Sequence, residues 1–248
     1  MNKILAWHFL REDCKMRFSH GITIKPGVEY EAKLPLIMCK NGLHASEQII
    51  DALCCAPGPV VCRVELSGMM IKDRYHICAE KRKVLWMYDA TNVLHEFALT
   101  IAEQALLKER KFGKEPDPRS WQAIKVKRQW LEGESSLKEL KAAKKAAGEV
   151  VREVAIEVEK RIALGAARNF VWKSKWETAR AVSEAVSWTA PWEIAWETAR
   201  AVLWAASWAT PWAALRKIAC KTETVTPKAK LNSLLEQMII CESTKRSL

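Results

Sequence analysis

The chain has no apolar run able to cross a bilayer. Its longest charge-free stretch, Ala201 to Leu215, contains Pro211, and it falls short of the roughly 20 residues a membrane helix needs. At the N-terminus, Arg11, Glu12 and Asp13 arrive too early for a signal-peptide core. A soluble, intracellular protein without membrane contact is therefore expected. Catalytic signatures are missing too: there is no P-loop, no dinucleotide glycine pattern, no G-x-S-x-G and no H-E-x-x-H. The eight cysteines include no C-x-x-C pair. Cys54 and Cys55 are adjacent, and neighbouring side chains on a strand point apart, a poor start for a zinc site. Reduced, buried thiols are expected, with no metal and no cofactor.

What is present is unevenly distributed. All five histidines (His8, His20, His44, His76, His95) lie in the first hundred residues, and eight of the twelve tryptophans lie between Trp172 and Trp212. The net charge of +11 is uneven as well: residues 1–105 carry 13 Lys/Arg against 12 Asp/Glu, and residues 106–248 carry 27 against 17. The basic excess of the second half suits nucleic acid or another polyanion. It equally suits a solvated surface that keeps a Trp- and Ala-rich bundle in solution.

The pattern predicts an α+β protein with a small mixed β-sheet domain over 1–107. Strands are expected near 6–10, 34–39, 60–66, 69–71 and 83–88, with a turn at Ser67-Gly68. A short helix is expected over 46–53, capped by Ser46. Another is expected over 89–107, with Val93, Leu94, Phe97, Ile101 and Leu106 on its apolar side. Residues 108–135 read as a charged linker followed by a short helix from Trp121. The helical region is expected over 136–220. Ser136 and Glu139 form a capping box at its start, and Leu137, Leu140, Val151, Val154, Val158 and Ile162 form an apolar stripe. A linker and a terminal amphipathic helix follow over 221–248.

The helical region contains a repeat. The heptapeptide from Trp176 to Val182 recurs from Trp196 to Val202, and each copy is followed by a Pro-Trp pair, at Pro191 and Pro211. Proline at the start of a helix makes each copy one element of a stack. The tryptophans, spaced by four among alanines, are suited to helix–helix packing and homo-oligomerisation, or to base stacking.

The best binding candidate is Gly42-Leu43-His44-Ala45-Ser46. A glycine turn before a helix start offers backbone N–H groups to phosphate. His44 could contact a ligand oxygen or act as acid or base; it could equally be satisfied by a backbone carbonyl. Arg63 and Glu65 share a strand face, as a surface ion pair or as the lining of a pocket. Lys81 and Arg82 belong to a basic cluster beside Arg74 and His76, suited to phosphate or to solvent. Lys138, Lys141, Lys145 and Arg152 fall along one stripe of the long helix, but the interspersed acids favour an ordinary exposed face.

Trp7-His8-Phe9-Leu10, Met38-Cys39-x-x-Gly42-Leu43-His44-Ala45-Ser46 and Asp51-Ala52-Leu53-x-x-Ala56-Pro57-Gly58 occur in that order. They are followed by Val64-Glu65-Leu66-x-Gly68, Arg82, Asp89-Ala90 and Phe97-Ala98. This set resembles an uncharacterised family of phage and prophage genomes, whose members typically end in Ala/Trp/Arg-rich helical repeats. Many members carry Asp-Lys after the Gly68 strand, where this chain has Asp73-Arg74-Tyr75-His76. The Gly42–Ser46 core also resembles a short motif of a small family related to the ADP-ribosyltransferase fold. That likeness implies a split sheet cupping a nucleotide, with His44 near the ribose. The uncharacterised family itself carries no function over; its phage context, the His44 turn and the basic excess together point to a phage-encoded accessory protein of the host bacterial cytoplasm, acting against host defence. It would bind a nucleotide or other phosphate-bearing ligand through Gly42, His44, Ser46, Arg63, Lys81 and Arg82. Two alternatives stand beside it: an NAD- or nucleotide-processing enzyme using His44 and Glu65, and a module that binds a host protein or DNA.

Overall fold

A computed structural model of the chain describes residues 3–16, 21–111, 115–170 and 228–245. The tryptophan repeat lies outside the described residues. The chain divides into two compact units, Met1–Phe97 with Thr210–Leu248, and Ala98–Ala209.

The first unit is built on β1 (Ile4–Leu10), β2 (Glu29–Glu31), β3 (Leu43–Ala45), β4 (Val60–Lys72) and β5 (Ile77–Asp89), with the short helix α1 (Ile49–Cys54). The sheet is antiparallel throughout, in the order β1-β4-β5-β2, and β3 also pairs with β5. β2 takes Lys81–Lys83 of β5 and β3 takes Ile77–Ala79, so the two short strands share one edge. Just past β3, Ser46 and Trp7 exchange two backbone hydrogen bonds, of 2.9 and 2.7 Å. That bridge carries the strand path from β3 back to β1.

Three local expectations are corrected here. Ser46 does not cap a helix: its backbone is committed to Trp7, and the helix begins at Ile49 after Gln48, which makes no side-chain cap bond. Residues 34–39 form no strand. Leu34–Pro35 is a cis peptide, and Ile37 and Asn41 close a tight turn with two 2.8 Å bonds. Ser67-Gly68 is not a turn but a bulge inside one long strand, where the register shifts between Ser67 and Met70. Gly68 has a φ of 76°, a conformation favoured by glycine. The reversal comes later, at Asp73–His76.

The sheet faces follow from the register, because paired residues point the same way. Ala6, Cys62, Val64 and Val84 belong to a buried cluster that includes Ile24, with Cys14 and Met16 packed against it. The opposite face carries Trp7, Arg63 and Trp86, which are in mutual register. Helix α1 packs on β1, and the C-terminal helix packs on α1. That last helix, Lys228–Lys245, is called α5 below. Its Leu231, Leu235 and Ile239, spaced by four, are buried, which gives one apolar stripe.

In the second unit, α3 (Pro118–Leu131) starts at Asp117, whose carboxylate accepts from Arg119 N at 2.8 Å. The next helix, α4 (Leu137–Phe170), starts with the expected reciprocal box. Ser136 N donates to Glu139 at 2.7 Å, and Glu139 N donates to Ser136 Oγ at 3.2 Å. Leu140 is buried as expected; Val150, outside the expected stripe, is buried too, and Leu137 is exposed, since it sits in the first turn ahead of the packed residues. The preceding helix, α2 (Thr91–Lys111), is held at its start by Asp89, which accepts from the backbone and hydroxyl of Thr91. No described helix is long and apolar enough to cross a membrane.

Candidate functional site

The Gly42–His44 segment is fixed from both sides. Gly42 has a φ of 130°, and a Cβ there would lie 2.2 Å from Cys78 Sγ, so both backbone and packing demand glycine. His44 Nε2 accepts the backbone N–H of Cys39 at 3.0 Å. A second ring hydrogen bond goes to the Gly42 carbonyl. Burial outweighs that bond and, with Arg82 nearby, lowers the His44 pKa. The ring is a neutral brace for the loop at ordinary pH.

The His44 carbonyl is the meeting point of a partly buried polar cluster. Arg82 Nη1 donates to it at 2.9 Å, and the His8 ring also hydrogen-bonds to it. Arg82 is 2 % exposed, and its Nε has no partner. Burial brings its pKa down to about 10, against the opposing influence of Cys62 and Tyr30, so it is still a cation at pH 7. No described carboxylate pairs with it. His8 is pushed well below its ordinary pKa by burial first, then by Arg82 and His44. The cluster thus holds one positive charge, two neutral imidazoles and two neutral neighbours.

Of the residues singled out from sequence, the structure brings Gly42, His44 and Arg82 together. It does not bring the others to them. Ser46 is buried beyond β3 at the Trp7 bridge. Arg63 lies on the opposite face, its guanidinium 4.4 Å from the centre of the Trp7 ring. Glu65 does not pair with Arg63; it accepts from Lys3 Nζ at 2.9 Å. Lys81 points away from its neighbour Arg82 and lies 3.9 Å from Glu31. The charged stripe Lys138, Lys141, Lys145 and Arg152 on α4 is exposed.

Sequence reasoning missed a second cluster. Cys55 Sγ and His76 Nε2 are 3.2 Å apart, and His76 Nδ1 is 3.5 Å from Asp73 Oδ1. Cys55 ends α1, and Asp73 and His76 belong to the β4–β5 turn, so only the fold joins them. His76 had been noticed solely as part of a basic run. The remaining thiols are quieter: Cys62 is buried, with a pKa pushed up to about 12 by that burial. None of the seven described cysteines forms a disulfide. No group of three His, Cys, Asp or Glu among the described residues is arranged to hold a metal ion.

Residues 4–96 match a protein-family profile described as "Domain of unknown function (DUF7666)". The match covers the strands, α1 and the start of α2, and stops before the second unit. No curated protein and no solved structure matches the chain.

Proposed function

We propose that the sheet domain binds a nucleotide or another small phosphate-bearing ligand at Arg82. The observation that carries this reading is a fully buried guanidinium with a spare N–H and no described acidic partner. Removing an ion from water costs several kcal/mol, and a counter-charge offsets that cost. A phosphate oxygen is a strong acceptor for guanidinium, in charge-assisted bonds about twice as strong as neutral ones. His8 and His44, both uncharged, would leave the anion to a single cation.

A protein of this kind would sequester a nucleotide signal, in keeping with the phage counter-defence expectation drawn from family context, the His44 turn and the basic excess. The ADP-ribosyltransferase likeness rests on the Gly42–Ser46 motif alone. The enzymatic alternative is carried less far, because Glu65 is held by Lys3 on the face opposite Arg82. Calorimetric titration of the full chain with phosphate, pyrophosphate, mononucleotides and NAD tests the proposal. Micromolar binding of at least one, lost in Arg82→Leu with the circular dichroism unchanged, is expected. No heat from any of the panel, or binding that survives Arg82→Leu, would overturn it.

A further inference from the structure

The second cluster has the parts of an activated thiol. Cys55 is exposed. Its sulfur meets His76 Nε2 at 3.2 Å, and the other ring nitrogen faces Asp73. Asp73 is itself fixed: its Oδ1 accepts the backbone N–H groups of Tyr75 and His76 at 2.7 and 2.6 Å. Those bonds keep the carboxylate ionised, with a lowered pKa. A carboxylate orienting an imidazole that contacts a thiol is the nucleophile–base–orienter order of thiol chemistry.

The surroundings are specific. His76 faces Asp73 on its own turn and Cys55 from α1, and His44 of β3 is close enough to feel both His76 and Asp73. Tyr75, edge-on to His76 at 6.4 Å, is flanked by Arg74 at 5.2 Å and by Lys228 of α5 at 4.3 Å. Lys228 in turn pairs with Asp51 of α1. The α1 C-terminus works against a thiolate, since its carbonyl end carries partial negative charge. Activation must therefore come from the imidazole.

We propose that Cys55 is a thiol–disulfide exchange site, with His76 as its base and Asp73 as a positioning residue, reacting with low-molecular-weight disulfides. His76 Nε2 takes the thiol proton, and the Cys55 thiolate attacks one sulfur of the disulfide RSSR. A Cys55–SR bond forms as the S–S bond breaks. The leaving thiolate takes the proton from His76 and departs as RSH. Electrons balance within the exchange: the incoming disulfide is the oxidant, and no other is needed.

Cys39 and Cys241 serve as internal references, since both are exposed and no described histidine bonds to either sulfur. The reduced full-length protein is incubated with glutathione disulfide across pH 5–9, and mixed disulfide is quantified at each cysteine by peptide mass spectrometry. Cys55 is expected to react at least about tenfold faster than the references at pH 7, with its rate levelling at lower pH. His76→Gln keeps a polar side chain but not the base, and should bring Cys55 down to the reference rate with the pH profile of an ordinary thiol. Asp73→Asn, which still accepts the two backbone N–H bonds, should give an intermediate rate. Equal rates at the three cysteines in the parent protein, or a Cys55 rate unaffected by His76→Gln, would overturn the assignment.

Discussion

Arg63 and Arg82 sit on opposite faces of one sheet and meet the cost of burial differently. Arg63 is half-buried and lies across Trp7, whose ring stands edge-on to Trp86 at 5.6 Å. Its pKa is lowered by burial and partly restored by Glu236 of α5. Among the described residues Arg82 has no aromatic face stacked on it and no acid paired with it; a backbone carbonyl and neutral side chains surround it. Each leaves one buried N–H unpaired, Nη1 of Arg63 and Nε of Arg82. The difference teaches that charge and burial alone do not mark a site. A cation over an aromatic face is already accommodated, whereas a cation facing only neutral groups keeps more of its desolvation cost.

The contrast can be broken most severely from the aromatic side. Trp7 is 1 % exposed, so Trp7→Ala should cost about 4 kcal/mol in chemical denaturation, through the cavity and the loss of the Arg63 platform. Gly42→Ala attacks the other side by pushing a methyl group into Cys78 and forcing a positive φ. A loss of about 2 kcal/mol is expected, with weakened ligand binding at Arg82. The sharpest comparison is the pair of single changes. Arg63→Leu should destabilise the unliganded protein by about 1 kcal/mol, by stripping cover and charge from the ring. Arg82→Leu should stabilise it by a similar amount, because a buried charge is removed. Shifts of the same sign would end the distinction.

The smallest effect is the response to acid. His8 and His44 both have folded pKa values below the ordinary 6.5, so the unfolded chain takes up protons first as pH falls. Stability from these groups is complete above about pH 6.5 and is lost progressively below it. A thermal scan at pH 5 should show a drop of about 2–4 °C relative to pH 7.5. His8→Leu should reduce that drop, and Arg63→Leu should leave it unchanged.

Elements governed by local rules were legible in the sequence. The Ser136–Glu139 box, the apolar face of α2 and the Val60–Leu66 alternation each depend on residues a few positions apart. What was not legible depended on pairing. Ser46 looked like a cap until Trp7 claimed its backbone, and Leu34–Cys39 looked like a strand although its N–H groups close a turn. The site divides in the same way. Gly42, His44 and Arg82, which the structure brings together, could be singled out because a glycine turn and a basic run leave local marks. That Arg63 and Arg82 face opposite ways could be read only from the bulges, which shift the strand register. The Cys55–His76 contact left no mark, because α1 and the hairpin turn meet only in three dimensions.

The docking of α5 on α1 has a consequence for biosynthesis. Asn232 Oδ1 accepts the backbone N–H of Ile50 at 3.2 Å, and Lys228 neutralises the buried Asp51. The first unit thus joins segments far apart along the chain. Its strands leave the ribosome well before α5, so α1 keeps an unpaired carboxylate and an uncovered apolar flank until α5 emerges. At ordinary rates of elongation that wait is on the order of ten seconds. Through that interval the nascent sheet domain carries exposed apolar surface, the condition under which folding chains are prone to aggregate.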